Sequence, residues 1–253
     1  MSPVIPWYIT VIVAATNVAI AIAVWSIFSR SARRSGLPAA AQGRVAIGLA
    51  TYLAVWLLAA FFVAPRLGSL VGQNTGAVPP VLLLAGAAPA VVLVALALSS
   101  SFRRTLAAAA LPAVIGVQVY RVIGAVFVIL LSLGQLPAHF ARPAGWGDVA
   151  VGLTAPLVAL ALLRGAPGSR TLAVAWNVFG LLDLVVAVGM GSGLLVPLLA
   201  PGQPAAPAVA LQQFPLVLVP VFAVPVSVLL HFLALNELRH RVRLRAGVMA
   251  PAS

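Results

Sequence analysis

The chain of 253 residues contains no cysteine and no lysine, and only three of its side chains are acidic. The absence of cysteine excludes disulfides, iron–sulfur clusters and thiolate metal sites. Charged residues of either sign make up 7% of the chain, whereas soluble domains carry about 25%. This shortage of charge excludes a water-facing globule.

Long apolar stretches dominate the rest of the chain, which is 63% hydrophobic. A helix needs about 20 apolar residues to span a bilayer. Such stretches lie at about 7–28, 45–64, 80–101, 109–133, 147–163, 171–190 and 215–236. They predict an all-α fold: a polytopic integral membrane helix bundle with seven transmembrane helices, forming a single domain over residues 1–253.

The arginines are unevenly distributed among the connections. Twelve lie in alternate connections and the C-terminal tail, at Arg30, Arg33, Arg34, Arg44, Arg103, Arg104, Arg164, Arg170, Arg239, Arg241, Arg243 and Arg245. The opposite connections hold only Arg66 and Arg142. Cytoplasmic loops carry the excess of basic residues, so this bias predicts an exterior N-terminus and a cytoplasmic C-terminus. Arginine without lysine is typical of a GC-rich genome, and we predict a bacterial cytoplasmic (inner) membrane.

Two charged residues interrupt the apolar stretches. From the predicted cytoplasmic ends of their helices, Arg121 lies roughly 16 Å deep and Asp183 roughly 18 Å deep. Charge at bilayer depth is costly and usually faces a partner or a wet cavity. We therefore predict that Arg121 and Asp183 form an interhelical ion pair.

Other polar residues at membrane depth surround this pair. Gln118 shares a face with the arginine and Asn177 with the aspartate, at helical spacing. Together with His231, Tyr52 and Asn17 they are predicted to line one inward-facing polar cavity. Two interpretations stay open: the side chains tie helices together, or they form a binding site or pathway.

The segment 136–146 (LPAHFARPAGW) is rich in proline and glycine and is predicted to be an exterior loop. It leads into Asp148 and holds His139 and Arg142. Either it forms an outward binding lip, or it is a packed loop in which Arg142 pairs with Asp148.

Two further features concern the last helices. Residues 194–200 (LLVPLLA) either continue the sixth helix or form a separate interfacial one, and prolines in the seventh are expected to free carbonyls that face protein or water.

Residues 145–148 read Gly-Trp-Gly-Asp, a G-x-G-D pattern that resembles intramembrane aspartyl proteases and prepilin peptidases. Those enzymes pair two aspartates at one depth, whereas Asp148 is expected roughly 15 Å from Asp183 along the membrane normal. Seven helices with an exterior N-terminus resemble microbial rhodopsins in topology, but the chain has no lysine to bind retinal.

No catalytic or metal site follows from the sequence, and the cofactor stays unknown. Haem is disfavoured because only one histidine lies in an apolar stretch. The lipid bilayer is the expected partner; nucleic acid is not expected, and a small-molecule or ion ligand stays open. We expect a small carrier or permease. The alternatives are a non-transporting sensor, assembly factor or scaffold, and a membrane redox or lipid-modifying enzyme with a hydrophobic substrate.

Overall fold

The computed structural model describes residues 5–66, 80–205 and 208–248, and all regular structure in these ranges is helical. The helices are α1 (Trp7–Arg34), α2 (Ala39–Arg66), α3 (Pro80–Leu98), α4 (Ser100–Ala107), α5 (Leu111–Ser132), α6 (Ala138–Leu163), α7 (Ser169–Gly191), α8 (Val196–Leu199) and α9 (Val219–Ala223 as a π turn, then Val224–Val248 as an α-helix).

Six of the described helices, α1, α2, α5, α6, α7 and α9, are long and apolar enough to cross a membrane. Their outward faces carry large apolar side chains such as Ile47, Leu163 and Leu182, as contact with lipid requires. The chain is therefore a multi-pass, membrane-type helical protein. The third predicted stretch forms α3, which is not one of the six. A total of seven spans, with α3 as the third, therefore stays a prediction.

Helix α6 begins at Ala138, directly after Pro137, and not at 147 as predicted. The predicted exterior loop at 136–146 is therefore wrong, because all but two of its residues form the first turns of α6. Proline and glycine indicate loops in soluble proteins, but membrane helices tolerate both. The longer helix puts Asp148 roughly 15 Å from its start.

Small residues bring the backbones of α5 and α6 into contact. A Cβ atom added at Gly152 would lie 2.5 Å from the backbone nitrogen of Val122, and one added at Gly145 would lie 3.0 Å from the carbonyl oxygen of Gly124. Small residues are the usual means of close helix packing in membranes, where helices gain little from excluding apolar surface. The close approach places the middle of α6 directly against α5.

Helix α5 is irregular at this contact. Residues Val117–Gly124 form a 3-10 helix between two α-helical turns, and its buried residues are Gln118, Arg121 and Gly124. A 3-10 helix has three residues per turn, so side chains three apart point in the same direction. The change of helix type therefore directs Gln118 and Arg121 into the bundle along one line.

The last spanning helix begins at Val219, later than the predicted 215, with a π turn over Val219–Ala223. Pro225 has no N–H to donate to the carbonyl of Val221, four residues earlier. That carbonyl instead accepts a hydrogen bond from Trp56 Nε1 at 2.8 Å. The expectation that prolines free carbonyls toward protein is confirmed at Val221.

Helix α7 ends at Gly191, and Gly193 has a φ of +85°. This left-handed backbone conformation favours glycine and breaks the helical path. Within residues 194–200 only Val196–Leu199 are helical, and they form the separate helix α8. The segment does not continue the sixth span.

Candidate functional site

Arg121 is buried in the centre of the bundle, with 2% of its surface exposed, and pairs with two carboxylates. Its Nε donates to Asp148 Oδ1 at 2.7 Å, and its Nη2 donates to Asp183 Oδ2. The predicted ion pair between Arg121 and Asp183 is confirmed as a contact. Asp148 is a third member that joins α6 to α5 and α7.

The predicted pairing of Asp148 with Arg142 is wrong. Arg142 is exposed near the start of α6, while Asp148 is buried and directed toward α5. The error follows from the helix boundary: a start at 147 would leave Asp148 at the membrane surface. With a start at Ala138, Asp148 reaches the depth of Arg121.

The remaining N–H donors of Arg121 determine which ring nitrogen of His231 carries its proton. Arg121 Nη1 donates to the carbonyl oxygen of Gly180 at 3.2 Å and lies 3.1 Å from His231 Nε2. Because a guanidinium cannot accept hydrogen bonds, His231 Nε2 must be the acceptor. The proton of the neutral ring is then on Nδ1, which donates to Asn177 Oδ1 at 2.9 Å.

This tautomer is consistent with the next residue in the network. Asn177 Nδ2 donates to the carbonyl oxygen of Ala173 at 2.7 Å, which leaves Asn177 Oδ1 to accept from the histidine. The ring of Trp176 packs against His231 with centroids 5.1 Å apart, and Trp176 Nε1 donates to Thr154 Oγ1 at 2.9 Å. His231 is therefore held as a neutral acceptor for the arginine.

Two glycines make room for the charged groups. A Cβ atom added at Gly147 would overlap the carboxylate of Asp183, and one added at Gly180 would overlap the imidazole of His231. Gly180 precedes Asp183 by three residues on the same face of α7, a relation visible in the sequence. The role of Gly147 depends on how α6 and α7 pack and has no sequence signal of its own.

The structure divides the other predicted site residues. Gln118 is fully buried, and neither atom of its side-chain amide has a hydrogen-bond partner among the described residues. Asn17 Nδ2 donates to Val13 within its own helix at 2.8 Å. Tyr52 lines a cavity apart from the ion network, and His139 lies in the first turn of α6. Of the predicted inward-facing set, the network unites only Asn177 and His231.

The charges of the site do not balance. Its two carboxylates are two of the three acidic side chains in the chain, the third being Glu237. Against them stand the guanidinium of Arg121 and the neutral ring of His231. With both aspartates ionised, the buried network carries one excess negative charge.

Two cavities flank α9. The Asp148 cavity, of about 300 Å³, has Asp148 as the one charged residue among its described lining and extends toward Val219 at the start of α9. The Tyr52 cavity, of about 790 Å³, has mostly apolar walls and extends toward Asn236 and Glu237. The two therefore extend toward opposite ends of α9.

The cavities approach each other in the middle of α9. Val228 lines the Asp148 cavity and Val226 lines the Tyr52 cavity. Ser227 lies between these two residues in the chain, and its hydroxyl is hydrogen-bonded to that of Tyr120 at 2.6 Å. Because residues two apart on an α-helix point in roughly opposite directions, the two cavities lie on different sides of α9 at this level. Sequence reasoning missed both Ser227 and Tyr120, which are single polar residues without a recognisable spacing.

The predicted difference in depth between Asp148 and Asp183, which argued against the aspartyl-protease resemblance, is wrong. Both aspartates bind the same guanidinium, that of Arg121. In a proteolytic aspartate pair the ionised carboxylate is free to activate water. Here an arginine is bonded to both carboxylates. The pattern at 145–148 therefore marks a close helix contact that carries an ion pair.

A comparison with protein families matches residues 78–239 of this chain. No curated protein and no solved structure matches it. The matched range includes Arg121, Asp148, Asp183 and His231, and it leaves α1 and α2 outside. Because the match covers more than half of the chain, the protein belongs to the family described as Domain of unknown function (DUF8737).

Proposed function

We propose that this protein is a small carrier of a bacterial cytoplasmic membrane, with Arg121, Asp148, Asp183 and His231 as its intramembrane binding site. In this proposal α3 also crosses the membrane, as the third of seven spans. The N-terminus is exterior and the C-terminus is cytoplasmic. The arginine distribution supports the orientation. Ionisable residues at bilayer depth support a functional site, since they often mark ion or substrate pathways.

The observation that carries the proposal is that the charged network adjoins one of two cavities that extend toward opposite ends of α9. The Asp148 cavity reaches the network itself, through one of its carboxylates. The Tyr52 cavity begins at Val226, in the middle of α9, and extends toward the other end of that helix. A charged site with one cavity toward each end of a spanning helix is compatible with alternating access.

Irregular helices at the site support motion there. Arg121 lies in the 3-10 stretch of α5, and α9 begins with a π turn whose Val221 carbonyl is bonded to Trp56. Departures from α-helical geometry often mark hinges or functional sites. A small change in the winding of α5 or α9 would move the network relative to both cavities.

The competing interpretation is a scaffold in which the network only fixes helix packing. Access of water to the site separates the two, and the absence of native cysteine makes labelling direct. Ala187 lines the Asp148 cavity one helical turn beyond Asp183, whereas Val185 on the same helix is 60% exposed on the apolar surface. The test compares Ala187→Cys with Val185→Cys, using a membrane-impermeant thiol reagent on intact cells.

We expect Ala187→Cys to react from outside and Val185→Cys to stay unlabelled, because thiols react as thiolates and need water. A third variant, Asn236→Cys in the Tyr52 cavity, should react only from the cytoplasmic side. Equal protection of Ala187→Cys and Val185→Cys would show that no aqueous path reaches the network. That result would overturn the carrier proposal and favour the scaffold.

A further inference from the structure

We infer that one of the two carboxyl groups, Asp148 or Asp183, carries an exchangeable proton, and that this proton is the coupling ion of the carrier. The inference rests on the proposed function, because it takes this network to be the working site at bilayer depth. It adds the identity of the ion and the group through which the ion enters.

Charge balance requires one cation at the site. Arg121 is paired with two carboxylates in the middle of the bundle, and it is the one arginine among the site's hydrogen-bonded groups. An uncompensated charge is strongly disfavoured at this depth, and buried groups commonly change protonation to avoid it. One proton makes the network neutral, and two would leave it positive.

The proton belongs to the carboxylates and not to the histidine. His231 Nε2 accepts from Arg121 and its Nδ1 donates to Asn177, so both ring nitrogens are occupied. A second ring proton would turn Nε2 into a donor that faces the guanidinium. Tyr120, the other titratable group beside the network, is bonded through its hydroxyl to Ser227.

A proton fits this site better than a metal ion. The described residues hold no group of three His, Asp or Glu side chains that could bind a metal. One oxygen of each aspartate is already bonded to Arg121. The other oxygen of Asp183 lies against Gly147, at the position where a Cβ atom would be. Metal ions need several oxygen ligands arranged around them, whereas a proton needs one.

Asp148 provides the route by which the proton is exchanged. It lines the Asp148 cavity, whereas Asp183 is not among the lining residues. The same cavity includes Ser192 and Gln212, two polar side chains that can hydrogen-bond water along an otherwise apolar wall. A proton can therefore reach Asp148 from the start of α9, while the carboxylate of Asp183 stays paired with Arg121.

Infrared spectroscopy of the purified, full-length protein tests this inference without any transport assay. A protonated carboxyl group has a C=O stretching band that a carboxylate lacks. Aspartate labelled with carbon-13 at its side-chain carboxyl shifts the bands of Asp148 and Asp183 only, because the third acidic residue is Glu237. We expect one isotope-sensitive carboxylic acid per chain at neutral pH, which shifts again after exchange into heavy water.

Charge balance also predicts how variants behave. Asp148→Asn and Asp183→Asn should each lose the labelled band, because one carboxylate then balances Arg121. Arg121→Gln should double the band, since both carboxyls would be protonated. Glu237→Gln is the matched control and should leave the band unchanged.

Absence of the labelled band from the wild-type protein in sodium-free buffer would overturn the inference without any substitution. A band that disappears on addition of sodium or potassium chloride would overturn it in favour of a metal cation. A band that persists in both aspartate variants would refute the charge balance. The cysteine-labelling test can fail while the band is present, so the two proposals are separately refutable.

Discussion

Removal of Arg121 is the perturbation whose consequence follows most directly from the network. The substitution Arg121→Met keeps a long side chain but leaves the carboxyl groups of Asp148 and Asp183, in α6 and α7, buried without their partner. Removing one partner of a buried ion pair typically destabilises by about 3–5 kcal/mol. At about 1.4 kcal/mol per tenfold change, the folded-to-unfolded ratio should fall about 140- to 3,700-fold.

The matched comparison is the triple variant Arg121→Met, Asp148→Leu and Asp183→Leu, which removes all three charges together. Well-packed hydrophobic residues often replace a buried ion network at no loss of stability. The triple variant should therefore be at least as stable as the wild type. A double replacement of Arg121 and Asp183 is not equivalent, because Asp148 would stay buried without its partner.

Unfolding by sodium dodecyl sulfate in mixed detergent micelles, followed by the fluorescence of the five tryptophans, measures these differences. If Arg121→Met destabilises by less than about 1 kcal/mol, as an exposed ion pair would, the network is not the buried contact described above. Growth of a deletion strain adds the functional result. A folded triple variant that fails to complement supports a carrier site, and full complementation supports a scaffold.

Two further substitutions test the packing that holds the network. Gly147→Ala should destabilise by about 1–3 kcal/mol, as overpacking does, because the new methyl group overlaps the Asp183 carboxylate. Its control is Gly48→Ala, which has open space around its Cβ position and should leave the unfolding midpoint unchanged or slightly higher. Equal effects of the two substitutions would refute the steric argument. Trp56→Phe should destabilise by about 1–3 kcal/mol because it leaves the buried carbonyl of Val221 without its donor; in the same unfolding assay, an unchanged midpoint would show that this bond contributes nothing.

The helical, membrane-type character of this protein was predictable from the sequence alone. Composition and the length of apolar stretches determine whether a chain can span a bilayer, and both are local properties. The contact between Arg121 and Asp183 was also predictable, because two opposite charges at one depth have few other ways to avoid stranded charge. Helix periodicity and rise are sufficient for that inference.

The full composition of the network was decided by tertiary structure. Judged by its own residues, the proline- and glycine-containing segment 136–146 is a loop. In the bundle, where α6 packs against α5 and α7, this helix instead begins at Ala138, and Asp148 is buried. The 3-10 stretch of α5 likewise depends on how close the neighbouring helices lie. So does the need for glycine at Gly147, against Asp183, and at Gly180, against His231. Depth can be counted along one helix, but which faces meet depends on the shape of several helices at once. For that reason the sequence predicted a pair of charges, and only the folded bundle shows an arginine held by two aspartates and a neutral histidine.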